Sequence, residues 1–465
     1  MRLHRRQFAV GPRPVEELDG WEISRLAPDL YLSRCPTLPV RNVGGDEVLG
    51  LAVPSDDSGR RDSWAGRFVV IRDGVLEMDP TGLLGVFSRD VAGERWISSS
   101  PELLRGLTPE LESPGQRLRW AVEGNEWFAP PFSGVDSMTR LLPSQRIRLT
   151  DGVVEPKALL PSPTEGDPIA DAERRLRRIV RELSELGPLW VALTSGRDSR
   201  LVLAACLAEG IEPVTFTFDR APDAEYPVSA SDRELAPRLA ELAGLEHRMI
   251  EPKPYDPEAA SLFDRHCCFH SVGAQRYEIV HGQWDLVPAN AIVVSGGVFE
   301  AGRAYYRIHQ PPVPAVWMQW VRDTPQDLEY SDRLYIEQRL AGWLSSAEQA
   351  GDLTGRVRIC PANCAQLLAS FLTLPVDVRA RGAHHTQLIE RMAPELAAVP
   401  FNPRPVGQRI RARWNREAAL VHYHRSVPRY AGARAAAVSR RLHDWIRTVA
   451  MSTTGALLSL STGAL

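Results

Sequence analysis

One stretch of the chain concentrates groups able to handle phosphate: Trp190-Val-Ala-Leu-Thr-Ser-Gly-Arg-Asp-Ser-Arg-Leu-Val-Leu-Ala-Ala205. An apolar strand runs into a polar turn, and a helix opens directly behind it. The turn's backbone N–H groups and the helix N-terminus together form a site for a phosphate-type anion. Gly196 has no Cβ, so the main chain can approach that anion closely. Thr194, Ser195 and Ser199 add hydroxyl donors, and Asp198 is able to hold a Mg2+ ion that bridges phosphate oxygens. In parallel α/β sheets, ligands sit beyond the carboxyl ends of the strands, where this turn falls. The same six residues also suit a helix N-cap turn that binds nothing.

Other reactive side chains point to less. Six cysteines in this length make no disulfide framework. Cys267 and Cys268 are adjacent, and Cys360-x3-Cys364 has no second Cys/His pair at zinc-site spacing, so buried free thiols are expected. His384-His385 and His422-x-His424 have no carboxylate at a telling spacing and read as surface or satisfied core residues. His266 and His270 share a face of a helix expected over Asp256–His270, without a third ligand. Lys157 and Lys253 are the only lysines, which restricts where an ammonium group can act.

The elements that must position these groups fall into two halves. Residues 1–155 read as β-rich: Gly66–Gly74 and Val75–Asp79 form a hairpin about an Asp-Gly turn, with further short strands at Leu83–Phe87, Arg95–Ser98 and Arg146–Thr150. Ser100 caps a helix whose first residue is Pro101. A Pro-rich, acidic linker, 161–168, separates this half from residues 169–450, where helices alternate with apolar strands. The expected order is helix Ile169–Leu186, strand Leu189–Leu193, helix Ser199–Glu209, strand Pro213–Phe218, helix Asp232–Ala243 and strand Ala291–Val294. Such alternation implies a parallel sheet with crossover helices. Beyond about Pro311 the pattern is helical with no further strand–helix unit, and the tail 451–465 reads as loose.

Composition sets outer limits. The 465 residues are 44% apolar and 24% charged, as in globular rather than disordered chains. With 55 basic against 58 acidic side chains and a net charge of −3, no global basic field exists, which disfavours a general nucleic-acid binder. No run approaches the roughly 20 apolar residues that cross a bilayer. The basic start, Met1 to Phe8, is followed by no apolar signal region, so a cytoplasmic protein is expected.

The Thr194–Ser199 turn resembles the Ser-Gly-Gly-x-Asp-Ser pyrophosphate loop of the N-type ATP pyrophosphatases, with Thr194 and Ser195 in place of the first Ser and Gly. The likeness continues in order. Val214–Phe218 is similar to the family's adenine-lining strand, and Asp232–His247 to the helix, Gly-turn and His that follow it. Ile292–Tyr306 stands in the place of the asparagine-synthetase Ser-Gly-Asp-Gly-x-Asp-Glu loop, and His385–Phe401 resembles a C-terminal helix and turn. Upstream, Gly66–Ile71, Asp79–Gly82, Ser98–Leu104 and Leu141–Leu149 resemble pieces of the family's glutaminase domain. The resemblance implies an α/β chain: an N-terminal Ntn-hydrolase-like β-sandwich with helices, then a parallel-sheet PP-loop synthetase domain with a helical C-terminal part.

By the same resemblance, Leu193, Thr194, Ser195, Gly196, Arg197, Asp198, Ser199, Thr217, Phe218, Ser295 and Gly296 would bind ATP. Asp198 and Glu300 would hold Mg2+, and Asp198, Glu300 and Arg303 would act in catalysis. Three departures qualify this. Arg2 stands where a working family glutaminase has its cysteine, and Cys35 is the first cysteine, so no glutamine hydrolysis is expected. Ser295-Gly-Gly-Val-Phe-Glu300 lacks the family's aspartates, and Glu300 has an alternative partner one turn on in Arg303. No lysine follows Lys253; Arg409, Arg411 or Arg413 can replace the family's C-terminal lysine by position only, or form a solvated basic face.

The implied activity is adenylation of a small-molecule or peptide carboxylate and its transfer to an amine, as in β-lactam synthetases and lasso-peptide cyclases. The alternative is a non-catalytic nucleotide- or partner-binding descendant; thiolation on the same core is weaker, for want of a paired cysteine. A homodimer or a partner protein of the same pathway is compatible with either. No nucleic acid or membrane partner is implied.

Overall fold

The computed structural model describes residues 3–16, 18–91, 93–107, 120–122, 125–127, 131, 133, 138–219, 229–254, 256–267, 282, 286–308, 328–403, 407, 410 and 413–418. The first half carries strands β1 (Phe8–Gly11), β2 (Glu22–Ala27), β3 (Leu30–Arg34), β4 (Val40–Val43), β5 (Asp46–Pro54), β6 (Trp64–Arg72) and β7 (Val75–Met78). It continues with β8 (Phe87–Val91), β9 (Glu94–Ser98), β10 (Trp120–Val122), β11 (Asn125–Trp127), β12 (Thr139–Arg140), β13 (Gln145–Arg148) and β14 (Val154–Pro156). Two six-stranded antiparallel sheets result, ordered β12-β8-β9-β1-β3-β2 and β14-β13-β7-β6-β5-β4; β10 and β11 pair separately.

Period-2 alternation packs these sheets face to face. Phe8 and Val10 of β1, Leu32 of β3 and Ile97 of β9 share one core with Leu49, Val69, Ile71, Leu76 and Ile147 of the other sheet. Ala9 and Trp96 face the opposite way, against helix α1 (Pro101–Leu107). Ser100 Oγ accepts from Leu103 N at 3.2 Å, so the expected cap forms. The expected Asp-Gly turn also forms, with Asp73 and Gly74 at φ 49° and 72°.

The strand expected at Leu83–Phe87 begins only at Phe87. The buried Asp79 carboxylate takes the amides of Leu83 and Leu84 at 3.0 and 3.3 Å, and Gly82 and Gly85 adopt φ 67° and 79°. Amides bonded to a side chain are not available to a ladder.

The second half opens on α2 (Pro168–Leu186), capped by Asp167, which accepts from Ile169 N at 2.9 Å; the linker thus ends one residue earlier than expected. Ile169, Ala172, Leu176, Ile179, Val180 and Leu183 form its buried face. Strands β15 (Leu189–Ala192), β16 (Val214–Phe218), β17 (His247–Ile250), β18 (Ile292–Val294) and β19 (Val357–Ile359) build a five-stranded parallel sheet ordered β17-β16-β15-β18-β19. The expectation of no further strand–helix unit beyond about Pro311 is therefore corrected by β19, which pairs with β18 and leads into a helix over Ala365–Leu372. Helices α3 (Arg197–Ala208) and α4 (Ser229–Leu242) follow β15 and β16. Leu189 and Val191 face one core and Trp190 the other, so both faces of the sheet are covered.

Buried polar links join the halves. Asn363 Nδ2 donates to Gly66 O at 2.6 Å and Asp79 Oδ1 at 2.8 Å, and Arg175 Nη1 reaches Asp56 Oδ2 at 2.5 Å. Cys35, Cys206, Cys360 and Cys364 are free and buried. Among the described residues no helix is long and apolar enough to cross a membrane.

Candidate functional site

Strand order alone marks a place for a ligand. From β15 the chain builds outward to β16 and β17 on one side, then returns to β18 and β19 on the other. The turns after β15 and β18 therefore leave the sheet's carboxyl edge at its switch point, the place where open α/β sheets form their ligand crevice. The turn after β15 is Leu193–Gly196, leading into α3; the turn after β18 begins at Ser295. The two touch at Gly296. A Cβ there would lie 2.5 Å from Ser199 N and 2.7 Å from the carbonyl carbon of Asp198, so only glycine fits.

The first turn is held by its own side chains. Leu193 O accepts from Thr217 Oγ1 at 2.7 Å, which pins the end of β15 to β16. Thr194 N donates to Ser199 Oγ at 3.0 Å, and Gly196 N to Thr194 Oγ1 at 3.2 Å. Ser195 is buried: its N and Oγ donate to Asp232 Oδ1 at 2.8 and 2.6 Å, and its Oγ also lies 3.0 Å from Asn402 Oδ1. Three amides expected around an anion are thus already bonded, one of them to a carboxylate of α4. What remains is the first turn of α3. Its N-cap, Gly196, makes no side-chain cap bond, so the positive end of the helix is left without a side-chain cap, and Gly296 of the second turn packs beside it.

Charge around the crevice is dominated by arginine. Arg303 Nη2 donates to Asp198 Oδ2 at 2.6 Å and to Glu300 Oε1 at 3.3 Å, bringing the three candidate catalytic residues together. Burial works against the Arg303 charge, but Asp198 and Glu300 outweigh it and hold the guanidinium above its ordinary range. Glu300 Oε2 also accepts from the Tyr335 hydroxyl and lies 3.6 Å from Arg339 Nε. Burial, then Glu300, raises the Tyr335 phenol well above its usual range, so it stays protonated as that donor. Arg197 donates through Nε to Thr386 Oγ1 at 3.1 Å and lies over Phe401 at 4.7 Å.

Several residues of the site carry no local sequence signal. Asp232, Asn402 and Tyr335 reach it from distant segments. His384 and His385, expected on the surface or in satisfied core positions, are buried without hydrogen-bond partners among the described residues, and His385 Nδ1 lies 3.2 Å from Asp198 Oδ1. Burial, then the Arg303 and Arg197 charges, keeps His385 far below its ordinary range and neutral. Arg200 has a readable sign, a charge directly before the apolar run 201–208 of its helix. It is buried against the carbonyls of Ser195, Leu396, Val399 and Pro400 at 2.9, 2.9, 2.5 and 3.2 Å, and burial pushes it down to about 10.

Three non-glycine residues next to the site's own residues have positive φ: Val298 at 74°, Ala304 at 52° and Asn402 at 42°. Such strain persists where surrounding contacts over-determine the backbone, as they do at binding sites. Ser295 lies beside Cys360, Oγ to Sγ 3.2 Å, and half-buried Phe218 stands edge-on to Phe216 at 5.7 Å. Arg413 is exposed on a short helix. Arg409, Arg411, Cys268, His270, His422 and His424 lie outside the described residues. Chemically, the site offers a helix N-terminus without a side-chain cap and guanidinium groups to an anion. No protein-family model matches the chain, and no curated protein matches it either.

Proposed function

We propose that the chain is an ATP-dependent, AMP-forming amide synthetase built on the asparagine-synthetase plan, with an N-terminal Ntn-type domain that no longer hydrolyses glutamine. One observation carries this reading: the Thr194–Ser199 turn lies at the carboxyl end of β15, at the switch point of a five-stranded parallel sheet, with the N-terminus of α3 behind it. The nucleotide phosphates lie across this turn, and the adenine lies against Thr217 and Phe218. A carboxylate oxygen of a small acid or peptide attacks the α-phosphorus, breaking the α–β bond and giving an acyl-adenylate and pyrophosphate. An amine nitrogen then attacks the acyl carbon, expels AMP and loses its proton. Arg197 and Arg303 meet the charge that gathers on the departing pyrophosphate. Cys35 is buried with its Sγ 3.2 Å from Thr37 Oγ1, which suits a domain without a working thiol nucleophile. Free buried thiols suit the cytoplasm.

A second reading, a non-catalytic nucleotide- or partner-binding descendant, is favoured by one feature. The amides of Thr194, Ser195 and Gly196 already serve Ser199, Asp232 and Thr194. Pyrophosphate release over a panel of carboxylic acids, with and without amines, separates the two. Turnover abolished by Asp198→Ala supports the synthetase. ATP binding by calorimetry with no turnover on any acid supports the second reading, and no ATP binding at all overturns the synthetase and leaves only the partner-binding form of the second reading.

A further inference from the structure

We propose that Arg303 stands where a divalent cation would sit, so that this site holds a polyphosphate through guanidinium groups without magnesium. The proposal rests on the nucleotide reading above. A single nitrogen, Arg303 Nη2, bridges the two carboxylates expected to carry Mg2+, at 2.6 Å from Asp198 and 3.3 Å from Glu300.

Neither carboxylate offers magnesium an oxygen both open and unclaimed: Asp198 Oδ1 has no hydrogen-bond partner among the described residues but is shut away from solvent, and both oxygens of Glu300 are bonded. Mg2+ needs near-octahedral oxygen ligands and usually keeps several waters. The second oxygen of Glu300 is engaged by Tyr335 and Arg339, and that of Asp198 abuts His385 in a pocket walled by Phe299 and Phe371, whose rings lie 5.7 and 5.4 Å from the imidazole. The two carboxylates already face the three guanidiniums of Arg197, Arg303 and Arg339, and a further double positive charge would add repulsion.

An oxyanion meets the opposite situation. Among the described residues, Arg303 Nε is buried without a partner and Arg197 donates only through Nε. Their remaining donors lie beside the first turn of α3, and guanidinium forks match phosphate oxygens two at a time. Asp198 and Glu300 then act as positioning residues that hold Arg303 in place.

Titration calorimetry of the full chain with pyrophosphate and with ATP, in EDTA and in excess MgCl2, tests this. Binding in EDTA within about twofold of that in magnesium is expected, and Arg303→Ala should weaken metal-free binding by about tenfold or more. In that variant Mg2+ should restore affinity, and direct Mn2+ titration followed by electron paramagnetic resonance should show an ion bound that the wild type does not take. Arg303→Lys, which keeps a charge, should fall between; thermal melting establishes that both variants fold. Wild-type binding that collapses in EDTA and returns with Mg2+ overturns the proposal and leaves the nucleotide reading standing. Metal-free binding unchanged in Arg303→Ala also overturns it. Absence of pyrophosphate and ATP binding in both buffers removes the nucleotide reading and this one with it.

Discussion

Arg67 and Asp352 face each other through two parallel hydrogen bonds, Nη1 to Oδ1 at 2.9 Å and Nη2 to Oδ2 at 2.7 Å. Arg67 lies on β6 of the antiparallel half and Asp352 at the end of helix α5 (Ser345–Asp352). Both side chains are buried, and Arg67 Nε also donates to Leu83 O at 3.0 Å. Such a pair holds the two halves in register more than it adds net stability. Removing one partner, however, strands the other charge. Arg67→Met leaves Asp352 with Arg6, 3.4 Å away, and should cost about 3–5 kcal/mol in urea unfolding. Arg67→Met combined with Asp352→Leu should recover most of it. A single variant that loses under about 1 kcal/mol would show the pair to be dispensable.

Gly296 is where the two turns of the crevice touch, and its neighbours there are backbone atoms that cannot swing aside. Gly296→Ala must push the loop after β18 away from α3. Overpacking of this kind costs about 1–3 kcal/mol. The shift also moves Glu300 and Arg303, so pyrophosphate affinity should fall about tenfold for a misplacement near 1 Å. Gly106→Ala, in the helix Pro101–Leu107 with open space at its Cβ, should instead be neutral or stabilising by up to about 1 kcal/mol. Calorimetry and thermal melting of the two variants side by side check this; equal behaviour contradicts it.

Much of this architecture is legible in the sequence because it is local. β15 and β16 are apolar and bounded by polar turns, and α2 repeats its apolar face at helical spacing. β17, with His247 and Arg248 in four residues, and β19, with Arg358 in three, show no such pattern; pairing with β16 and β18 makes them strands. The site divides the same way. Glu300 and Arg303 are one turn apart and their contact is readable, but the carboxylate on the Ser195 amide comes from 37 residues away and the Asn402 oxygen from 207. No spacing rule reaches that far. The phosphate expectation placed hydroxyls and amides on an anion; the fold spends them on the turn itself and leaves arginine to face the crevice.

His266 joins the N-terminal turn to the second half. Its Nδ1 accepts from His4 N at 2.9 Å and its Nε2 faces Gln349 O at 2.9 Å, an arrangement that requires the neutral Nε2–H tautomer. Burial, reinforced by His4, lowers its pKa from 6.5 to about 3. Above about 6.5 the imidazole is neutral in both folded and unfolded chains, and its contribution is complete. As pH falls below that, the unfolded chain gains a proton the folded one refuses. Stability then drops by about 1.4 kcal/mol per pH unit until the folded group titrates. Unfolding at pH 7 and pH 5 should show a slope shallower by about 1.4 kcal/mol per pH unit in His266→Gln than in the wild type, the buried His384 and His385 adding slope of the same sign to both. Equal slopes would mean that His266 is charged in the folded protein.

Asp232 decides how much of the turn is open to an anion. Its carboxylate takes both the amide and the hydroxyl of Ser195, so a negative charge stands where the resemblance puts phosphate. Asp232→Asn keeps an acceptor oxygen for Ser195 while removing that charge, so the turn should hold its shape with a loss of about 1 kcal/mol or less. Coulomb repulsion at this range, in the effective dielectric of a partly buried site, is worth about 1–2 kcal/mol. Pyrophosphate should therefore bind about threefold to tenfold more tightly to the variant, with the gain shrinking as salt is raised. Asp232→Ala removes the acceptor as well and should lose about 1–3 kcal/mol of stability, since Ser195 is buried. Weaker binding in Asp232→Asn, with melting unchanged, would mean that the carboxylate supports the anion site instead of opposing it, by holding the Ser195 carbonyl that fixes Arg200.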